Sequence, residues 1–214
     1  MFMEKICMIG CGGHAHSVAD AFLGRFPDAS LKFYDINAKD GETIFSYGKE
    51  RYCAYALHHI KEEDDDVPIF IAIGDNQERK EYAGKFCNEH NLISVVSISS
   101  IVSKFSRTGY ENFIGNMAYI GSGANIGNFN IINTSAVVEH EVQVGNFSHI
   151  SVNTTVCGRS KIGSNVFLGA GSTVIDKISI CDNVVVGANS VVVDDINVSG
   201  VYVGNPVRMI KRYV

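Results

Sequence analysis

From Ile114 onward an aliphatic residue recurs at every sixth position of the chain, through Ile120, Ile126, Ile132, Val138 and Val144 and on to Val192 and Val198. All fifteen positions in that series comply. Glycine follows the aliphatic residue at Gly115, Gly121, Gly127, Gly145, Gly163, Gly169 and Gly187, and a small residue stands two before it at Ala118, Ala124, Ala136, Ser148, Thr154, Ser160, Ser172 and Ser190. This is a hexapeptide repeat. Three hexads close one triangular coil of about 18 residues, with each aliphatic side chain pointing into the prism. Stacked coils bury one continuous aliphatic column. Glycines and asparagines at the corners are expected to supply the backbone conformations of the sharp turns between short strands.

The residues before the repeat follow another pattern. An apolar run from Lys5 to Ile9 leads into a glycine-rich turn, a helical stretch spans about Ser17 to Phe26, and a second apolar run, Leu31 to Tyr34, ends in Asp35. That order reads as a βαβ unit. A third strand is predicted at Ile69 to Ile73, a second helix at Asn76 to Asn91 and a fourth strand at Ile93 to Ile98. The predicted organisation is an α/β Rossmann-like domain over residues 1–98, a connection at 99–113, and a parallel β-helix with a C-terminal tail over 114–214.

The chain has 214 residues, 46% of them hydrophobic, which suits one large or two small domains with real cores and argues against disorder. Its formal net charge is −5, and its densest charge run, Glu62 to Asp66, is acidic and reads as a solvated loop. Nothing offers nucleic acid a basic footprint. The N-terminus lacks the pattern of a secretory signal, and no stretch of 18 apolar residues occurs, so no membrane span and a cytoplasmic location are expected. The cysteines, Cys7, Cys11, Cys53, Cys87, Cys157 and Cys181, form no Cys-x-x-Cys and read as free, mostly buried thiols.

The turn Gly10-Cys11-Gly12-Gly13-His14-Ala15 fits the dinucleotide fingerprint between a strand and a helix, with Asp35 at the spacing of a ribose-binding acid. The domain before the repeat is one mononucleotide half, however, and a nucleoside diphosphate on the helix N-terminus suits it better than a dinucleotide. A tight turn without a ligand is the plain alternative. In the repeat, Val138-Glu139-His140-Glu141 breaks the hexad pattern and gathers three ionisable residues on the prism wall. A neighbouring carboxylate fixes a histidine's tautomer and raises its basicity, as a general base requires. His149 reads as an ordinary turn residue. His14 and His16 lack further metal ligands nearby, so no metal is expected. His58, His59 and His90 read as surface residues.

Gly10-Cys11-Gly12-Gly13-His14, Phe33-Tyr34-Asp35, Ala72-Ile73-Gly74-Asp75-Asn76, Ile132-Asn133-Thr134-Ser135, Val138-Glu139-His140-Glu141, Phe147-Ser148-His149 and Val203-Gly204-Asn205-Pro206 occur in that order. In these motifs the chain resembles the bacterial nucleotide-sugar acetyltransferases, the family of bacillosamine-type UDP-4-amino-sugar N-acetyltransferases, GDP-perosamine N-acetyltransferases and sialic acid O-acetyltransferases. The resemblance implies a left-handed β-helix, a homotrimer, and acetyl-CoA as co-substrate. It implies His140 as general base, Glu141 heightening its basicity, and Asn133 ordering the site. It further implies Gly12, Gly13, His14, Asp35 and Gly74 around the nucleotide sugar, and His149, Gly158, Ala170 and Ala188 against acetyl-CoA. The expected reaction is direct N-acetylation of a nucleotide-linked amino sugar, a UDP-4-amino-4,6-dideoxy sugar first among them. A GDP- or dTDP-linked amino sugar, sialic acid type O-acetylation, and a non-catalytic nucleotide-sugar scaffold are the alternatives. Glu141 directly after the base favours the amine-acetylating branch. The bacillosamine-type relative has two consecutive acids where this chain has Asp35-Ile36, which leaves nucleotide and sugar open.

Overall fold

The computed structural model describes residues 4–47, 50–63, 66–86 and 91–213. Cys87, His90, Asp64 and Asp65 of the acidic run, and Asn88 and Glu89 of the predicted second helix lie outside the described residues. The chain divides into two compact units, Met1–Val95 and Val96–Val214. No helix among the described residues is long and apolar enough to cross a membrane.

In the first unit the strands are β1 (Lys5–Ile9), β2 (Ser30–Asp35), β3 (Glu42–Tyr47), β4 (Glu50–Ala56) and β5 (Ile69–Ile71), in one sheet of order β3-β4-β2-β1-β5. The pairs β1/β2, β1/β5 and β2/β4 are parallel, and only β3/β4 is antiparallel. The β3–β4 pair has no counterpart in the sequence reading. Helix α1 (Gly13–Arg25) begins four residues before its predicted start, directly on the glycine-rich turn, and stops ahead of Pro27. It buries Ala15, Val18, Ala19, Ala21 and Phe22, while Ile6, Met8 and Ile9 of β1 are fully covered. Each buried valine, isoleucine, methionine or phenylalanine among them contributes roughly 1.5–3 kcal/mol.

One charged cluster ties this unit together. Lys5 on β1 and Lys32 and Tyr34 on β2 all donate to Glu63, just past a 3₁₀ turn at Leu57–Glu62. Burial pushes the Glu63 carboxyl up, but the hydrogen bonds from Lys32, Lys5 and Tyr34 outweigh it and hold the group at about 2. The predicted third strand ends two residues early, at Ile71. Just ahead of the predicted fourth strand Leu92 makes a lone bridge to Ile69, and within that predicted strand only Val95–Val96 is extended, in a sheet of the solenoid.

The second unit is a parallel solenoid of two-residue strands. Tyr119 pairs with Val137, Val137 with Thr155 and Thr155 with Thr173, a step of 18 residues each time, so three hexads do close one coil. The inward residues from Ile114 to Val192 are all buried in one aliphatic core. At the C-terminal end the repeat slips: Ile180 bridges Ile196 and Val184 pairs with Gly200, each 16 residues on, and Ile196 takes the buried place expected of the half-exposed Val198. At the other end, residues 99–113 are no mere connection, because Ile101–Val102 and Arg107–Thr108 pair into the prism walls.

Side chains bind coil to coil at the corners. Asn130 donates through Nδ2 to Gly145 O and accepts from Ser148 N, while Ser148 Oγ donates to Gly163 O and accepts from Val166 N, all between 2.8 and 3.0 Å. The glycines after the inward residues serve a purpose other than the one expected. Their φ is not positive; instead, a Cβ on Gly121 would lie 2.7 Å from His140 N, and one on Gly145 2.8 Å from Gly163 C. They are bare because the next coil presses on them. The left-handed positions lie two residues further on, at Gly123, Gly171, Asn153, Asn165, Asn183 and Asn189 among others, where glycine and asparagine are the favoured residues.

The three walls differ outside. One presents Ile101, Tyr119, Val137, Thr155, Thr173 and Val191. The next presents Arg107, Asn125, Gln143, Lys161 and Ser179. The third carries Phe113, Ile131 and His149, all buried, and then Phe167 and Val185, half-buried. Two walls are apolar or threonine-rich and one is polar.

Candidate functional site

A cleft of about 320 Å3 opens in the α/β unit at the C-terminal ends of β1, β2 and β5. Gly12, Gly13, His14, Asp35 and Gly74, the five residues assigned to the substrate from sequence, all line it, beside Tyr34, Ile36, Asn37, Glu78 and Tyr82. Gly10 turns the chain out of β1 at φ +98°, and a Cβ there would sit 3.1 Å from Ala72 O. Glycine is needed at that point twice over. Gly12 caps α1 and Gly13 opens it, and a Cβ on either would meet no protein atom within 4 Å. A side chain at either position would point into open space, and the helix start there has the backbone N–H groups and the positive end of the helix dipole that suit an anion.

Asp35 closes the turn from the other side. Its Oδ2 accepts from Cys11 N at 3.3 Å and its Oδ1 from Asn37 N at 2.9 Å, so the carboxylate also holds the loop it borders. Burial, and then the Asp35 charge, push the Cys11 thiol up to about 11, which leaves it protonated and unreactive. The sequence reading missed Arg79, which is 1% exposed. Its guanidinium donates to the carbonyls of Ile73, Gly74 and Asp75 and to Asn76 Oδ1 at 2.7–3.3 Å, fixing the loop that carries Gly74. Asp75 caps the second helix, Asn76–Phe86, through Glu78 N at 2.9 Å. An arginine four residues after the glycine-aspartate pair between β5 and the second helix was the only available signal.

In the solenoid His140 stands at a corner between two walls, not on a wall as the sequence suggested. Its Nδ1 lies 3.2 Å from Glu141 Oε2, its backbone N–H donates to Glu139 Oε2 at 3.1 Å, and its carbonyl accepts from Arg159 N at 2.9 Å. Glu141 occupies a left-handed corner position at φ +59°, a conformation uncommon for glutamate, and from there its carboxylate reaches the imidazole. Gly158 on the next coil lies against the ring: a Cβ there would be 2.5 Å from both Cε1 and Nε2. Asp176, one coil further, is held below the usual carboxylate range by the hydrogen bond from Arg159 and the nearby Lys177 charge. In the tautomer whose Nδ1–H donates to Glu141, Nε2 carries a lone pair that is able to accept a proton.

Asn133 is not in this corner. It lies at the next edge of the prism, where Nδ2 is 3.1 Å from His149 Nε2 and Oδ1 accepts from Thr134 N at 2.8 Å. His149 is a buried strand residue with its ring edge-on to Phe167, not a turn residue. Ala170 and Ala188 are exposed, 18 residues apart, in the turns of that same edge. One prism therefore distributes the residues assigned to acetyl-CoA over two edges, Gly158 with His140 on one, and His149, Ala170 and Ala188 around the other.

Residues 5–86 match the PglD N-terminal domain, and residues 159–194 match the bacterial transferase hexapeptide family (six repeats). No curated protein sequence matches the chain significantly. Among solved structures, PerB from Caulobacter crescentus in complex with CoA and GDP-perosamine is 26% identical, with a TM-score of 0.84 over 97% of both chains. The acetyltransferase domain of PglB from Neisseria gonorrhoeae FA1090, in complex with acetyl coenzyme A, shares the fold at 24% identity, with a TM-score of 0.86 over 97% of this chain and 99% of that one. The chain is a sugar acetyltransferase of the hexapeptide-repeat class. The enzyme thus joins a PglD-type cleft to a solenoid whose one acid-flanked histidine has bare backbone beside its Nε2.

Proposed function

We propose that the enzyme transfers the acetyl group of acetyl-CoA to the amine of a nucleotide-linked 4-amino sugar, with the nucleotide in the α/β cleft and His140 as general base. The carrying observation is the His140 corner, where Glu141 faces Nδ1 at 3.2 Å and Gly158 leaves Nε2 unobstructed. The amine attacks the thioester carbonyl, a C–N bond forms, Nε2 takes the ammonium proton, and the C–S bond breaks to release thiolate. A backbone amide of the coil steadies the tetrahedral oxyanion. Positioning of the two ligands supplies much of the acceleration, and no acyl-enzyme is needed. Asn133 acts by ordering His149 along the acetyl-CoA groove.

The β-helix is left-handed in this reading and the enzyme a cytoplasmic homotrimer. The distribution of acetyl-CoA residues over two edges supports a groove between copies, in which one copy lends the His140 edge and its neighbour the Ala170–Ala188 edge. The half-buried wall of Tyr119, Val137, Thr155, Thr173 and Val191 supplies surface for that association. A UDP-linked 4-amino-4,6-dideoxy sugar is the first candidate substrate, and the GDP-perosamine held by PerB favours a GDP-linked amino sugar as the second. A thiol-release assay with acetyl-CoA against UDP-, GDP- and dTDP-linked 4-amino sugars tests this. Release with one of them supports the proposal; release only with sialic acid type hydroxyl acceptors overturns it.

A further inference from the structure

The cleft does not end at Asp35. Ile36, the next residue, lines it and also lines a second, more open cavity of about 570 Å3 in the same unit. Leu57, Ile60 and Phe86 give that cavity an apolar floor, and Lys61 and Lys85 stand at its rim with His58. Ile36 is 63% exposed, a large apolar side chain standing between the two spaces. They are joined at a second place, since Tyr82 lines the first cavity and carries the Lys85 ammonium 4.7 Å over its ring.

This arrangement has a chemical complement. Phosphates belong at the start of α1 and a ribose at Asp35, so the next group along a nucleotide reaches Ile36. At 320 Å3 the first cavity stands near the floor of the about 300–1,000 Å3 typical of small-molecule sites. A diphosphate and ribose with part of a sugar would fill it. A nucleobase has apolar faces that suit Ile36, Leu57 and Phe86, and a polar edge. Lysine ammonium groups only donate hydrogen bonds, so they select edges that present acceptors.

We infer that the second cavity is the base compartment of the nucleotide site, with Ile36 as its platform and Lys61 and Lys85 selecting a base with exocyclic carbonyl oxygens, such as uracil, thymine or guanine, over adenine. The inference rests on the first cavity being the nucleotide site. Titration calorimetry with UDP, dTDP, GDP, ADP and inorganic pyrophosphate tests it on the full-length enzyme, the Lys61→Ala/Lys85→Ala double variant, Ile36→Asp and Gly13→Val. The wild type should bind at least one carbonyl-bearing nucleotide about tenfold more tightly than ADP, and the double variant should erase that preference. The double variant should leave pyrophosphate within about twofold, and Ile36→Asp should weaken the nucleotides without touching pyrophosphate. ADP binding as tightly as the best of the others overturns the inference, and so does equal weakening of pyrophosphate and nucleotide by the lysine changes. If Gly13→Val weakens the nucleotides while the lysine variant behaves as wild type, the base compartment falls and the nucleotide site stands. If no nucleoside diphosphate binds the wild type, both fall.

Discussion

The two units use glycine for opposite reasons. In the solenoid Gly121, Gly127, Gly145 and Gly163 are bare because another coil lies against them, within 2.4–2.8 Å of where a Cβ would stand. In the α/β unit Gly12 and Gly13 are bare toward open space at the mouth of a cleft. The first kind of glycine is a packing requirement and the second leaves room for a ligand. Their means of cohesion differ likewise: the solenoid stacks an aliphatic column, while the α/β unit gathers Lys5, Lys32 and Tyr34 on the single carboxylate of Glu63.

The same substitution therefore gives opposite outcomes in the two units. Gly145→Val drives a side chain into the Gly163 backbone and should cost on the order of 4 kcal/mol or more, seen as loss of the solenoid's cooperative thermal transition. Gly13→Val should fold normally and raise the Michaelis constant for the nucleotide sugar about tenfold or more, with that for acetyl-CoA nearly unchanged. Equal losses of stability in both variants would erase the distinction.

Acid sharpens the comparison next. Glu63 titrates at about 2 when folded against an ordinary 4.5, so its contribution is complete above about pH 4.5 and disappears as the pH falls through 2. That amounts to about 3 kcal/mol, lost by the α/β unit alone. Calorimetry between pH 5 and 2 should show one transition falling well ahead of the other, and Glu63→Gln should remove most of that pH dependence. Parallel decline of the two transitions would contradict it.

Packing and chemistry meet at Gly158. A methyl group there strikes a side-chain ring that is able to swing, not backbone, so Gly158→Ala should keep its fold. Displacing the imidazole should lower kcat roughly tenfold to 10²-fold, with the Michaelis constant for the nucleotide sugar little changed. Unchanged kcat would mean that the ring's place against Gly158 is immaterial.

The repeat made the solenoid legible because every coil restates the same constraint at the same spacing. Legibility failed where that constraint relaxes: at Ile196, where the closing coil is two residues short, and at Ile101 and Arg107, which enter the walls before the glycine signature begins. In the α/β unit the Gly10–Ala15 turn and Asp35 were readable because a tight strand-to-helix turn admits few sequences. The β3–β4 pair was not, since its register depends on β2 and not on any local pattern. Arg79 was hidden for the same reason, its partners being carbonyl groups that carry no signal in sequence. His140 was singled out by its acidic neighbours, but the wall of Val137–Val138 that separates its corner from Asn133 and His149 appears only when the coils are stacked.

The central claim is that one solenoid corner carries the proton transfer and the α/β cleft carries the nucleotide. Steady-state kinetics of His140→Ala, beside Glu141→Gln, test it most directly. The account predicts a fall in kcat of roughly 10²–10⁴ for His140→Ala, partial recovery at high pH where more of the amine is already deprotonated, both Michaelis constants preserved, and a smaller loss for Glu141→Gln. A His140→Ala enzyme that keeps more than about a third of the wild-type kcat, far above what loss of a general base allows, would contradict it and move the search to His149.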